Sequence, residues 1–114
     1  MGDYHKTLFE SDKQRLKEVE SFITANLNTE LNINLLCDQF GYSDATFRRH
    51  FNLFFKKSFS RYLLDMRMDK AAHLLAEKGT AISIIANMVG YKKHSSFTHA
   101  FSRHFGCPPK HSLS

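Results

Sequence analysis

Ile82-Ser-Ile-Ile-Ala-Asn-Met-Val-Gly-Tyr91 decides the fold of this chain, because a similar stretch, Ile33-Asn-Leu-Leu-Cys-Asp-Gln-Phe-Gly-Tyr42, occurs 49 residues earlier. Each copy has apolar residues at helical spacing, ends at a Gly-Tyr pair and precedes a second helical segment with basic side chains. One such unit predicts a helix-turn-helix, in which glycine supplies the left-handed backbone of the turn. Two units in 114 residues predict a protein that holds DNA with two reading helices.

Length and composition are typical of a globular chain. With 114 residues, 42% hydrophobic and eleven Phe, the chain can bury a core of domain size. No apolar run approaches the ~20 residues of a membrane span, and the N-terminus lacks the apolar run of a secretory signal. The sequence therefore predicts a soluble, cytoplasmic protein.

Charge is segregated along the chain. Residues 1–40 hold four Lys/Arg against seven Asp/Glu, a net charge of −3, whereas residues 41–114 hold twelve against four, a net charge of +8. A segregated basic region is typical of proteins that bind a polyanion, most commonly nucleic acid. A basic surface that serves only solubility explains the charge equally well, so charge alone leaves both interpretations open.

Almost every segment has the apolar spacing of an α-helix, and no window alternates as a strand does. Residues suited to cap helix starts recur between these segments, and the expected caps are Ser11-Asp12, Asn32, Ser43, Ser58 or Ser60, and Thr80. The last helix is expected from about His94 to His104, with Pro108-Pro109 as its stop. We predict an all-α chain of about seven helices. It would form two helix-turn-helix subdomains, residues 1–57 and 79–114, joined by a linker helix over residues 58–78, together one DNA-binding domain.

The positions of each second helix that do not face its partner helix should face outward and contact DNA. The expected contact residues are Asp44, Ala45, Thr46, Arg48, Arg49 and Asn52 in the first unit, and Lys92, Lys93, His94, Ser95, Ser96, Thr98, His99 and Arg103 in the second. Arginine can donate two hydrogen bonds to guanine O6 and N7, and short hydroxyl side chains suit bases or phosphates. A solvated helix face carries the same residue types, but two such faces after matched turns favour binding.

Neither metal binding nor catalysis is predicted. His94, His99 and His104 recur every five residues and therefore cannot share one helix face. Cys107 and His111 have a tolerable spacing for a metal but lack further ligands, and the two cysteines indicate no disulfide framework. No Ser-His-Asp set in a strand-turn-helix context and no glycine-rich phosphate loop occurs. We predict a chain that needs no cofactor and is not an enzyme.

These elements resemble the DNA-binding domain of the AraC/XylS family of bacterial transcription regulators, over about Ser11 to Pro109. The family signature is matched by Ile82, Ile85, Ala86, Gly90, Tyr91, Ser95, Phe97, Ala100, Phe101, Phe105, Gly106 and Pro109. The middle of the chain matches at Phe51, Ser58, Tyr62-Leu63, Arg67 and Ala71-x-x-Leu-Leu75. The length of this pattern makes it specific, because any one of its pieces would be a weak signal.

The resemblance implies a monomer on an asymmetric site, with recognition helices in adjacent major grooves roughly one helical turn (~34 Å) apart. The family's base-contacting positions correspond to Ala45, Arg48 and Arg49 in the first unit and His94, Ser95 and His99 in the second. The resemblance also implies that Arg67 is structural and bonds between helices. Backbone amides near Asn32 and Ala81 would hold phosphates.

The chain departs from the family pattern at three single positions and in its tail, Lys110-His-Ser-Leu-Ser, which lacks the usual tyrosine and arginine. Lys56 stands where glycine is frequent, and Phe59 stands where proline often opens the linker helix. A left-handed backbone at Lys56 would cost of order 1 kcal/mol. Ala45 is small where some relatives place a large contacting side chain, so base reading by the first unit should depend on Arg48 and Arg49.

The expected function is sequence-specific binding of double-stranded DNA by a bacterial transcription regulator, an activator by expectation. Most members of the family carry this domain behind an effector-binding or dimerisation domain. We therefore expect an excised C-terminal domain, which is a monomer by itself. The whole regulator could dimerise through the missing domain, and RNA polymerase is an expected further partner. The alternative is that the chain is a free-standing short regulator.

Three rival interpretations are weighed against DNA binding. The first is a protein-interaction module that contacts RNA polymerase or another acidic partner. A helical RNA binder is disfavoured because the major groove of A-form RNA excludes a recognition helix. A zinc- or heme-linked sensor is a distant third.

Overall fold

The computed structural model describes residues 8–77 and 79–110, and this part of the chain is all-α, as predicted. Its helices, numbered in chain order, are α1 (Glu10–Ala25), α2 (Ile33–Phe40), α3 (Asp44–Phe55), α4 (Phe59–Ala76), α5 (Ile82–Met88) and α6 (His94–Phe105). The described residues thus form six helices, one fewer than the expected seven. No helix in this part of the chain is long and apolar enough to cross a membrane.

The chain divides into two compact units, and α4 contributes to both. The first unit combines the described residues up to Asn26 with Leu31–Leu63, and the second combines Leu27–Glu30 with the described residues from Leu64 onward. Each unit contains one pair of helices joined by a Gly-Tyr turn, namely α2 with α3 and α5 with α6. The linker helix over residues 58–78 and the subdomain limits on either side of it remain predictions.

Aromatic rings of α3 and α4 form much of the core of the first unit. Phe47 and Phe51 have no exposed surface, and their ring centroids are 5.4 Å apart. The ring of Phe59 lies edge-on to both, at centroid distances of 6.1 Å and 5.8 Å. Edge-on pairs of this kind contribute about 0.5–1.5 kcal/mol beyond their buried area. Phe47 and Phe51 therefore belong to the core, and the half-buried Phe55 extends it at the end of α3, with its ring centroid 4.4 Å from that of Phe51.

A polar contact also joins α1 to α4 within the first unit. The Tyr62 hydroxyl donates a hydrogen bond to Glu20 Oε2 at 3.0 Å. Burial raises the pKa of the Tyr62 phenol, and the bond to the Glu20 carboxylate raises it further. The phenol therefore stays protonated and remains a hydrogen-bond donor at neutral pH.

The core of the second unit is built from α4, α5 and α6. Its buried members are Met68, Ala71, Leu75, Ile85, Ala86, Val89, Phe97 and Phe101. The small side chain of Ala86 lies on the buried face of α5, and Cys37 occupies the matching buried position of α2 in the first unit. Small residues at these positions allow close approach of the neighbouring backbone.

Three expected helix starts are confirmed by side-chain caps. Asn32 Oδ1, Ser43 Oγ and Ser58 Oγ accept hydrogen bonds from the backbone amides three residues later, at 2.8, 3.3 and 3.2 Å. Each bond satisfies one of the amides that a helix start leaves unpaired. Of the two expected openers of α4, Ser58 is therefore the cap.

Two expected starts are wrong, whereas the expected range of α6, about His94 to His104, is confirmed to within one residue. α1 begins at Glu10, ahead of Ser11-Asp12, and Asp12 instead accepts a hydrogen bond from the Phe9 amide at 3.0 Å. α5 begins after Ala81 without a side-chain cap, so Thr80 does not cap it. α6 ends at Phe105, and its C-cap is Gly106, whose φ of 79° is left-handed, so the helix stops before the two prolines that were expected to end it.

Gly90 is the most constrained glycine of the described residues. Its φ is +97°, and a Cβ there would lie 2.4 Å from the Leu27 carbonyl oxygen and 2.8 Å from Arg67 Cζ. Arg67 is held in that position because its Nη2 donates to the Thr29 carbonyl oxygen at 2.9 Å. The expectation that Arg67 bonds between helices is therefore corrected, since its partner lies in the loop after α1. Burial lowers the pKa of Arg67, yet a guanidinium stays protonated.

Gly90→Ala and Gly41→Ala form a matched pair that separates close packing from backbone strain. Gly41 also has a left-handed φ, +74°, but a Cβ there would meet no atom within 4 Å. We expect Gly41→Ala to lower the free energy of unfolding by about 1 kcal/mol and Gly90→Ala by about 2 kcal/mol or more. Urea unfolding followed by circular dichroism measures both. Equal losses would contradict the close contact at Gly90.

Candidate nucleic-acid interface

In the first unit, a left-handed turn sets the start of α3. The chain leaves α2 at Gly41, and the amides of Gly41 and Tyr42 both donate to the Cys37 carbonyl oxygen, at 2.9 and 3.0 Å. Tyr42 then packs edge-on against Phe47 with ring centroids 5.4 Å apart. Ser43 caps α3 directly afterwards. The buried aromatic residues of α3 therefore fix which of its faces is exposed.

The exposed face of α3 carries five of the six predicted contact residues. Those exposed are Asp44, Ala45, Arg48, Arg49 and Asn52, while Thr46 is half-buried beside the cap. Arg48 Nε donates to Asp44 Oδ1 at 2.6 Å, and both side chains are more than half exposed, at 60% and 56%. The Asn52 side-chain amide donates to the Arg48 carbonyl oxygen at 2.7 Å. That bond uses one of the two amide N–H groups of Asn52 and leaves the other N–H and the Oδ1 acceptor, the pair of atoms that a two-bond contact with adenine uses.

The second unit repeats the turn geometry at α5 and α6. The Tyr91 amide donates to the Ala86 carbonyl oxygen at 2.9 Å, which matches the bond between Tyr42 and Cys37 in the first unit. Phe97 of α6 is fully buried against Tyr91, with ring centroids 5.7 Å apart. α6 itself starts after Lys93 without a side-chain cap. The internal repeat in the sequence therefore extends to the backbone bond of the tyrosine, although the Gly90 amide donates to Asn87 and the Gly41 amide to Cys37.

Seven of the eight predicted contact residues of the second unit are exposed. They are Lys92, Lys93, His94, Ser95, Ser96, His99 and Arg103. Thr98 is the exception, because its hydroxyl oxygen is buried and has no hydrogen-bond partner among the described residues. Thr98 was expected to face outward, but its hydroxyl oxygen does not reach solvent. Thr98 directly follows buried Phe97, so it lies at the edge of the buried face.

The two exposed faces differ in charge. α3 carries an acidic residue, Asp44, in its first turn, whereas the first turn of α6 carries none and follows two lysines, Lys92 and Lys93. An ion pair between Asp44 and Arg48 was readable from their i, i+4 spacing, although only the structure shows the contact. The two faces therefore present different chemistry on similar scaffolds.

Backbone amides at the starts of α2 and α5 are partly occupied. The Leu35 amide donates to Asn32 Oδ1, and the amides of Ile84 and Ile85 both donate to the Ala81 carbonyl oxygen. Phosphate contact by the helix starts near Asn32 and Ala81, implied by the family resemblance, would fall on the first amides of each helix. That contact remains a prediction.

Within residues 8–77 and 79–110, no group of three or more His, Cys, Asp or Glu side chains is placed to hold a metal ion. His111, whose spacing from Cys107 was weighed and judged insufficient for a metal site, lies outside these residues. Cys37 and Cys107 are both free thiols, one buried and one exposed. Burial raises the pKa of the Cys37 thiol, and the nearby Asp44 and Asp38 carboxylates raise it further. Cys37 is therefore a protonated core side chain.

Two helix pairs with matched turns, each leaving a polar face of its second helix exposed, define a double helix-turn-helix domain. Comparison with known proteins agrees: residues 36–113 match the family model described as a helix-turn-helix domain. The chain is 34% identical over 102 residues to the HTH-type transcriptional activator CfaD of Escherichia coli. The aligned region is 90% of this chain and 36% of CfaD. The chain belongs to the AraC-type helix-turn-helix family, a class of DNA-binding domains of transcription regulators and not a class of enzymes.

Solved structures have the same fold. The C-terminal domain of AraT, a response regulator from Geobacillus stearothermophilus, is 26% identical with a TM-score of 0.79, over 83% of this chain and 79% of that one. The DNA-binding domain of the global transcriptional factor AdpA, solved with a target DNA, is 22% identical with a TM-score of 0.78. The match covers 83% of this chain and 86% of the AdpA chain. The chain spans little more than a third of the length of CfaD.

Ser43→Ala tests the cap that starts α3. The substitution leaves the Thr46 amide without its side-chain partner, so we expect the free energy of unfolding to fall by about 1 kcal/mol. Ser60→Ala is the matched control, since Ser60 is exposed inside α4, where alanine is at least as favourable. Thermal and urea unfolding measure both variants. A loss in Ser60→Ala as large as that in Ser43→Ala would contradict the capping role.

Proposed function

We propose that this domain binds double-stranded DNA sequence-specifically, with α3 and α6 each entering a major groove. The observation that carries the proposal is that both second helices leave a polar, cation-bearing face exposed after the same left-handed turn. In a helix-turn-helix, the second helix reads base edges with residues near its N-terminus. No catalytic step and no cofactor form part of this function.

The two helices would divide base reading and phosphate contact differently. On α3, Arg48 and Arg49 are the proposed base readers, with Ala45 close to the bases. On α6, His94, Ser95 and His99 would read bases. Phosphate contacts are assigned to Lys92, Lys93 and Arg103, and the remaining exposed members of the predicted set, Asp44, Asn52 and Ser96, border these contacts. Thr46 is half-buried and borders them as well, whereas Thr98 is left out because its hydroxyl oxygen is buried.

The whole regulator's activity is proposed from likeness to relatives. CfaD is a transcriptional activator, and the AdpA domain was solved in complex with a target DNA. By analogy, this chain would act in the cytoplasm as part of a bacterial activator that recruits RNA polymerase, binding its site as a monomer when isolated. Dimerisation would come from a further domain of the regulator.

Arg49→Ala tests direct reading of bases. Arg49 is exposed on α3, and no ion pair joins it within the described residues. We expect the variant to lose about 1–3 kcal/mol of binding free energy on the preferred site, with relaxed preference at one or two base pairs. Fluorescence anisotropy with the preferred site and its single-pair variants measures this. Equal weakening on preferred and random duplexes would exclude the base-reading role.

Lys92→Ala tests the phosphate contacts of the second unit. Because a phosphate contact is independent of sequence, we expect equal weakening on preferred and random duplexes and a salt slope smaller by about one. Lys70→Ala is the matched control, since Lys70 is exposed on α4 outside the proposed contacts. The measurement is the affinity at several salt concentrations. If the salt slope changes equally in both variants, the effect of Lys92→Ala comes from the loss of one positive charge and not from a phosphate contact by Lys92.

Selection of bound sites from a random duplex pool separates DNA reading from the rival interpretation, a module that contacts polymerase or another acidic partner. A selected sequence with two separated motifs, unequal because α3 and α6 carry different residues, is the expected result. Retention without sequence enrichment, combined with binding to RNA polymerase alone, would favour the rival.

A further inference from the structure

The contact between Asp44 and Arg48 has features that a stability role does not explain. Arg48 Nε donates to Asp44 Oδ1 at 2.6 Å, one helical turn away on the exposed face of α3. At 60% and 56% exposure, the two side chains form an ion pair of a kind that contributes little to folding. The bond is nevertheless short and charge-assisted, which is the geometry that orients a guanidinium.

The bond uses the nitrogen of Arg48 that end-on guanine reading does not need. A guanidinium carries five N–H donors, and the terminal Nη1 and Nη2 form a fork that matches the O6 and N7 atoms of guanine. With Nε bonded to Asp44, the fork remains available and the side chain has fewer rotamers to lose on binding. Asn52 also ties its amide to the Arg48 carbonyl oxygen.

The Asp44 carboxylate has a second consequence for binding. A negative charge on a DNA-facing surface repels phosphates, so it weakens the sequence-independent part of the affinity. When Arg48 meets guanine, the oriented fork offsets this repulsion, whereas no such gain occurs on other sequences. The first turn of α6 contains no acidic residue, so this arrangement is confined to the first unit.

We propose that Asp44 is a positioning residue, which holds Arg48 in place for one guanine and disfavours binding to other sequences. This inference rests on the proposed DNA-binding function and deepens it, because it names the specificity device of α3. In this proposal Asp44 acts by orienting Arg48 and does not contact a base itself.

The test is a double-mutant cycle of Asp44→Asn and Arg48→Ala, measured on the selected site and on variants with each G·C pair replaced by A·T. The pair read by Arg48 is the one whose replacement no longer weakens binding in Arg48→Ala. At that pair we expect Asp44→Asn to reduce discrimination about three- to tenfold. On random duplex we expect binding to tighten about two- to threefold.

Two further variants separate positioning from charge. Asp38→Asn removes the same charge from an exposed residue of the neighbouring helix α2, and should leave discrimination at that pair unchanged. Asp44→Glu keeps a carboxylate at i, i+4 spacing and should restore most of the discrimination. The double variant Asp44→Asn/Arg48→Ala should show the same discrimination at every base pair as Arg48→Ala alone.

Each contrary outcome has a distinct meaning. Unchanged discrimination in Asp44→Asn, or a loss that persists in Arg48→Ala, overturns the positioning role, and the second would show a base contact by Asp44 itself. If Asp38→Asn loses as much discrimination as Asp44→Asn, the effect comes from the change in net charge and not from the position of Asp44. If the wild-type domain binds selected and random duplexes equally, the proposed function fails and not only this inference.

Discussion

The left-handed backbone between the two helices of each unit is the constraint on which the rest of the structure depends. At Gly41 and Gly90 the φ angles are +74° and +97°, which side chains other than glycine rarely adopt. This turn lets the following tyrosine amide bond back to the carbonyl oxygen of Cys37 or Ala86. The turn therefore fixes where the second helix starts, and with it which residues reach solvent.

Local signals in the sequence were sufficient for most of the fold. The caps at Asn32, Ser43 and Ser58 could be predicted because an Asx or Ser side chain bonds to an amide only three residues away. By contrast, the left-handed backbone at Lys56, with φ of 63°, was implied only by the family resemblance, in which glycine is frequent at that position. The starts of α1 and α5 were missed because neither has an N-cap side chain, the signal on which the prediction relied. At α1 the Asp12 carboxylate instead bonds back to the Phe9 amide, and α5 follows Ala81.

The candidate interface was predictable to the level of a helix face but not to that of single atoms. Helical periodicity correctly separated Phe97 from the exposed Ser95, Ser96 and His99, but it could not show that the Thr98 hydroxyl oxygen is covered by neighbours. The partner of Arg67 was beyond reach for a similar reason. Its hydrogen-bond acceptor, the Thr29 carbonyl oxygen, is 38 residues away in a loop without a sequence signature.

The two turns share a left-handed glycine and a bonded tyrosine amide but differ in their surroundings, and this difference bears on how each reading helix is held. Around Gly41 there is open space, so the start of α3 depends on local bonds, namely the turn and the Ser43 cap. Around Gly90 the Leu27 carbonyl and the Arg67 guanidinium fill the space that a side chain would need. α6 has no side-chain cap, so the close contacts at Gly90 are the constraint nearest to its start. Distant residues contact the first turn as well, since the Arg15 guanidinium lies over the Tyr42 ring at 4.9 Å from its centroid. The two turns therefore differ in the cap of the second helix and in how tightly the glycine is enclosed.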